Sequence, residues 1–262
     1  MIEKTYLKAE NGAFRRAGRH LRDFFIHLFP LRLCSVSGLT LYVRDRSQLR
    51  LYQEIFVKDE FQLAQFQAKT NLQAPVVFDV GANCGYFSMR ILDAYPSATV
   101  YAFEPQERLV REFKDVICEN NLEQRAFCHH CALGKEDGTA LLYQNRSPIS
   151  ASTIQAKAAK RKIINRQAVT VRSLNSVLKE KMIEKIDVLK IDVEGAEMDV
   201  LEGGDQILGK VAFILIEIHK PFSDPEQIAG YLKKFGLERC VSLEKGNNID
   251  LVFTRGNLAG VL

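Results

Sequence analysis

Val76-Val77-Phe78-Asp79-Val80-Gly81-Ala82-Asn83-Cys84-Gly85 is the stretch on which the reading of this chain turns. Four of its first five residues are apolar and three are valines, a pattern suited to a strand covered on both faces. Gly81 and Gly85 permit a sharp turn and leave room where side chains would block a ligand. A helix over about Tyr86 to Ala94 follows, its first amides aimed at whatever lies above the turn. One helix further on, Val100-Tyr101-Ala102-Phe103 runs into Glu104 and Pro105. A carboxylate at the end of that second strand can accept hydrogen bonds from both hydroxyls of a ribose. The two stretches together read as a β-α-β unit that holds a nucleoside.

The spacing of the loop narrows the choice of nucleoside. A dinucleotide fingerprint needs G-x-G-x-x-G so that the backbone can close on a pyrophosphate. Here Asn83 stands where the second glycine would be, which disfavours a nicotinamide cofactor. The D-x-G-A-N-x-G form resembles the first motif of class I methyltransferases, which bind S-adenosylmethionine (SAM). That cofactor has no phosphate, so the loop need only hold an aminocarboxylate and a sulfonium. From about Val76 to His219 the chain resembles the FkbM family of SAM-dependent methyltransferases. The resemblance rests on Phe78 to Gly85, Phe103-Glu104-Pro105, Ala132-Leu133-Gly134, the run Leu189 to Glu197 and Ile216-Glu217-Ile218-His219. It implies O-methylation, often of a sugar or secondary metabolite, with cofactor roles for Asp79, Gly81, Asn83, Gly85, Glu104 and Pro105. It also implies an α/β fold: a Rossmann-like, mostly parallel sheet of seven core strands with an antiparallel terminal hairpin. The expected division is an N-terminal helical extension or cap over 1–70 and a methyltransferase domain over 71–262.

The whole composition is that of a globular chain: 47% hydrophobic and 26% charged residues, with a formal net charge of +4. A charge so small does not by itself imply nucleic acid, and none is expected as a partner. Residues 1–50 carry ten Lys/Arg against four Asp/Glu, so the excess is concentrated there. Six cysteines lack any framework spacing, and free thiols fit a reducing cytoplasm, the expected location. Cys128-His129-His130-Cys131 looks like half a zinc site whose second half is missing, so a strand with small buried sulfurs is the favoured reading. No apolar run reaches the ~18 residues of a membrane span.

Phe14, Leu21, Phe25 and Leu28 fall at helical spacing among four arginines, and Pro30 ends that pattern. Contact of residues 14–29 with a membrane surface is one reading; a helix packed on the domain is preferred. Leu39 to Val43 is expected as a strand, and Leu49 to Lys69 as a helix that could cap the cofactor. Strands are then expected at Val76–Val80, Thr99–Glu104, Ala126–Ala132, Ile186–Asp192, Val211–Ile218, Leu237–Leu243 and Ile249–Thr254. Further strands are expected at Thr139–Tyr143 and Ala168–Val171. Asn145 to Gln167 interrupts the rhythm with six Lys/Arg and no acid. It reads either as a lid that draws an anionic acceptor or as a solvated loop.

Ligands of open α/β sheets bind beyond the carboxyl ends of the strands. That rule gathers Asp79, Gly81, Glu104, Asp192, Glu194, Glu217 and His219 on one rim. If the fourth strand stays extended, Lys190, Asp192 and Glu194 share one side of it. Lys190, Asp192 and His219 are the catalytic candidates, with Lys190 also able to neutralise a neighbouring acid. Methyl transfer to a hydroxyl needs alignment and removal of one proton, which Asp192 or His219 could take. Alternatively, Asp192 could hold a divalent cation with Glu217 or His219; no complete ligand set is legible, so a metal requirement stays open. The acceptor is expected to be a small molecule or glycan. A methyltransferase of protein or another non-sugar acceptor, a nucleotide-binding oxidoreductase and a silent binding module are the rival readings. Oligomeric state is not legible.

Overall fold

The computed structural model describes residues 30–59, 63, 66, 70, 72–145, 151–153 and 163–255. The sequence reading of residues 14–29 lies outside these, as does most of the basic stretch between 145 and 167. A short hairpin opens the described chain, β1 (Leu31–Cys34) against β2 (Thr40–Val43). Helix α1 (Arg46–Tyr52) follows, capped by the Asp45 carboxylate, which accepts from the amides of Ser47 and Gln48. It runs into one π-helical stretch, Gln53–Val57. The α/β alternation then begins with β3 (Val76–Val80), α2 (Tyr86–Ala94), β4 (Thr99–Phe103), α3 (Glu107–Glu119) and β5 (Ala126–His129).

The principal sheet is completed by β10 (Val188–Ile191), β11 (Phe213–His219), β12 (Leu237–Lys245) and β13 (Asn248–Arg255), in the order β12-β13-β11-β10-β3-β4-β5. Its five strands from β11 to β5 run parallel. β13 is antiparallel to both neighbours and slots between β11 and β12. The seven-stranded, mostly parallel α/β sheet expected from the sequence is therefore present. Alternation along β3 sends Val77 to one face and Phe78 and Val80 to the other. On the first face pack α2, α3 and the N-terminal hairpin, with Leu41, Val43 and Ile55 in the same cluster as Phe87, Leu109 and Phe113. α4 (Leu174–Lys181), α5 (Glu197–Glu202), α6 (Asp205–Leu208) and α7 (Pro225–Lys233) cover the second face.

Four expectations need correction. The helix expected over Leu49 to Lys69 is not continuous, since α1 ends at Tyr52, the π-helical stretch at Val57, and Asp59 takes φ +51°. Ala126–Ala132 is not one strand. Cys131 N bonds back to His129 O at 3.1 Å, and the turn sends the chain into β6 (Ala132–Gly134), which belongs to a different sheet. That second sheet, ordered β6-β9-β7-β8, contains β7 (Gly138–Asn145), β8 (Ala151–Ser152) and β9 (Ile163–Ser173). The strand expected over Ala168–Val171 is thus an eleven-residue one. Nor does β10 stay extended through Glu194. It ends at Ile191, and positive φ at Glu194 (57°) and Gly195 (111°) turns the chain back over the sheet. Cys128 and Cys131 pack in the clusters on opposite faces. No helix among the described residues is long and apolar enough to cross a membrane.

Candidate functional site

The rim of the sheet is built around Gly81. Its amide and that of Ala82 both donate to Phe103 O at 3.0 Å, so the loop is tied to the end of β4. A Cβ on Gly81 would lie 1.8 Å from the Asp192 carbonyl oxygen, and φ is +76°, so both space and backbone demand glycine. Asn83 adopts φ +56°. Gly85, also at positive φ, starts α2 with the Phe113 ring 2.2 Å from where its Cβ would be.

Glu104 lies beside this loop, 4% exposed. One carboxylate oxygen accepts from Asn83 N and the other from Gln106 N, both at 2.9 Å. Burial pushes its pKa up to about 7, with those two backbone donors pulling the other way. Each oxygen keeps a lone pair for a further donor. Glu104 lines a cleft of about 620 Å³ with Gly81, Asn83, Pro105, Leu133, Leu142, Thr153 and Asp192. Leu142 and Thr153 come from the second sheet and its margin, and sequence reasoning did not find them.

A second cleft of about 460 Å³ opens on the other side of the glycine loop, lined by Leu51, Glu54, Ile55, Phe87, Lys190 and Glu217 among others. Gly81, Asn83 and Asp192 line both clefts. Leu51, Glu54 and Ile55 bring the end of α1 and its π-helical stretch against this second opening.

Beneath the loop, Lys190 Nζ donates to Gly81 O at 2.7 Å and pairs with Asp79 at 3.1 Å and Asp192 at 3.9 Å. Burial pulls the Lys190 pKa down, but Asp79 and Asp192 outweigh it and the net shift is upward. Asp79 is fully buried, receives Ser88 Oγ at 2.7 Å on its other oxygen and lines neither cleft. The geometry makes Asp79 and Lys190 the clamp that holds the loop from below, and nothing in it brings Asp79 to a cofactor.

His219, at the end of β11, is 4% exposed. Its Nδ1 is 2.7 Å from Glu197 Oε1, while Nε2 faces Glu194 at 3.5 Å, Glu217 at 3.6 Å and Asp192 at 3.8 Å. Glu197, at the first position of α5, is fully buried and also accepts from Gly195 N at 2.8 Å and from Ser223 Oγ. Burial lowers the His219 pKa, but the Glu197 hydrogen bond and the charges of Asp192 and Glu194 raise it more, to about 9. Burial raises Asp192, against the pull of Lys190 and His219. Glu217 is pushed up to about 7 by burial and then by Asp192. Asn248 Nδ2 donates to Glu217 Oε1 at 2.5 Å. The rim expected from the sequence thus gathers as Gly81, Glu104, Asp192, Glu194, Glu217 and His219. Glu197, Ser223 and Asn248 were missed as supports. The signal for Glu197 was present, as the last acid of the Asp192-Val193-Glu194-Gly195-Ala196-Glu197 run.

A family model described as the methyltransferase FkbM domain matches residues 79–239, more than half of the chain. A segment of the AMB antimetabolite synthetase AmbE of Pseudomonas aeruginosa is 31% identical over 230 residues. That match takes in 70% of this chain and only 10% of the synthetase. The 2-O-methyltransferase NoeI of Sinorhizobium fredii is 28% identical, covering 60% of this chain and 67% of its own length. The hexuronic acid methyltransferase AglP of Haloferax volcanii is 26% identical, covering 61% and 62%.

Proposed function

The chain belongs to the FkbM methyltransferase family, and from that premise we propose that it moves the methyl group of SAM to a hydroxyl of a sugar or sugar-like acceptor. The observation that carries this reading is the pair of clefts meeting at Gly81, Asn83 and Asp192. The larger cleft fits the cofactor: Glu104 offers paired oxygens for a ribose, Leu133 and Leu142 offer apolar walls, and the glycine loop leaves its backbone open. When bound, SAM supplies an electrophilic methyl on a sulfonium.

The second cleft would take the acceptor. Asp192, on the boundary, would accept the hydroxyl proton as the acceptor oxygen takes the methyl group. S-adenosylhomocysteine would be the product that leaves. Lys190 steadies both the loop and the Asp192 charge, while His219, held by Glu197, faces Asp192 from the other side. Alignment of the reactants does most of the remaining work, since the leaving group is already good. Within the described lining of the second cleft, Lys190 meets Glu54, Asp192 and Glu217. NoeI and AglP, by their names a 2-O-methyltransferase and a hexuronic acid methyltransferase, support an acceptor of the sugar class.

Calorimetry with SAM and with NAD, joined to S-adenosylhomocysteine release over a panel of neutral and acidic sugars, tests the reading. SAM alone should bind, and Asp192→Asn should keep that binding while losing roughly 10²–10⁴-fold in turnover. Full turnover in Asp192→Asn would remove this residue from the reaction.

A further inference from the structure

Resting on the methyl-transfer reading above, we propose that Asp192, Glu217 and His219 form a site for one divalent cation, Mn²⁺ or Mg²⁺, which receives the acceptor hydroxyl. Each residue offers one donor atom, and the three atoms lie within 4.8 Å of one another. They stand at the ends of two neighbouring parallel strands, Asp192 just past β10 and the other two closing β11. Carboxylates with a single imidazole form a donor set that suits a cation of this hardness.

His219 supplies an observation independent of the acids. It is more than nine-tenths buried, and its ring is fixed from behind by Glu197, itself fully buried and held by Gly195 N and Ser223 Oγ. With Nδ1–H donating to Glu197, Nε2 faces forward and would ligate a metal once its own proton is displaced. Among the described residues Nε2 makes ion-pair contacts only. Its nearest oxygens, on Glu194, Glu217 and Asp192, stand off at 3.5, 3.6 and 3.8 Å. Donor atoms each bound at about 2.0–2.2 Å to one ion stand roughly 3–4 Å apart, a range that holds the His219 distances to Glu217 and Asp192.

Charge argues the same way. Asp192, Glu194, Glu217 and Glu197 face His219, and among the described residues Lys190 is shared between Asp192 and Asp79. Carboxylates gathered this closely repel one another unless positive charge lies among them. Asn248, donating to Glu217, fixes one ligand much as Glu197 fixes another. A cation here would lower the pKa of the acceptor hydroxyl and hold its oxygen beside the cofactor cleft. Asp192 Oδ2, on the side of Lys190, would remain to take the proton.

The test is a Mn²⁺ titration of the EDTA-treated full chain, followed by electron paramagnetic resonance without cofactor. One stoichiometric site is expected, with Asp192→Asn and Glu217→Gln each weakening it at least about tenfold and Glu197→Gln weakening it about 10–100-fold. SAM affinity, measured by calorimetry on the same samples, should be unchanged in Glu217→Gln and Glu197→Gln, and a retained cooperative thermal unfolding transition is the check on folding for Asp192→Asn, which also lines the cofactor cleft. A wild-type chain with no stoichiometric Mn²⁺ overturns the proposal, whatever the variants do. So does unaltered Mn²⁺ affinity in either ligand variant that passes its folding check. Methyl transfer that proceeds at full rate in EDTA would overturn the cation's role while leaving the methyl-transfer reading standing; absence of SAM binding would instead remove that reading.

Discussion

Glu104 carries a pH dependence that one substitution can isolate. Its folded-state pKa of about 7 lies above the ordinary value of 4.5, so the folded chain holds the proton more tightly than the unfolded one. Glu104 therefore costs stability as pH rises from about 4.5 to about 7, with no further change above that. Ribose hydroxyls would donate to the ionised carboxylate, so SAM affinity should rise as pH climbs through about 7 and then level off. Calorimetry from pH 5.5 to 8.5 would show this, and Glu104→Gln should weaken binding throughout and flatten the profile. Glu217 titrates in the same window, which is why the comparison with Glu104→Gln, and not the wild-type profile alone, decides the outcome. Gly81, Glu104 and Asp192 were legible in the sequence because each sits at a fixed place relative to a strand end. Glu197 stood out as the last acid of the run after β10, but its role as a support comes from His219, 22 positions away.

At the scale of elements, the parallel strands were legible because burial on both faces leaves nearly continuous apolar runs. The second sheet was not. Of β9, Val169 and Ser173 are buried while Asn165, Arg166, Ala168 and Thr170 are exposed, so hydrophobicity gives no period to read. β6 was joined to β5 in the reading because Ala126 to Ala132 carries no glycine or proline to mark the turn. α1 matters beyond its length, since it delivers Leu51 and then Glu54 and Ile55 to the second cleft. Its N-terminus depends on Asp45. Asp45→Ala should cost about 0.5–2 kcal/mol in denaturant unfolding. Because the acceptor wall would loosen while the glycine loop stays clamped, KM for the acceptor should rise with SAM affinity unchanged.

Across the whole molecule, the last strand locks the sheet. β13 sits between β11 and β12, and Arg255 at its end donates to three carbonyls, Val211 O at 2.9 Å, Leu208 O at 2.7 Å and Phe235 O at 2.8 Å. Those contacts bind the terminus to the turns before β11 and after α7. Removing the guanidinium leaves part-buried carbonyls without their donor, so Arg255→Ala should cost on the order of 1.5–3 kcal/mol, read as a lowered unfolding midpoint. Chemistry at the opposite rim should survive in the fraction that stays folded.

One wall of the second cleft precedes the stretch matched by the FkbM domain model: Leu51, Glu54 and Ile55 lie before residue 79, while the glycine loop, Lys190, Asp192 and Glu217 fall within it. None of those three residues lines the cofactor cleft. Under the proposed assignment, exchanging them would reshape the surface that greets an incoming sugar and leave the walls around the methyl donor as they are.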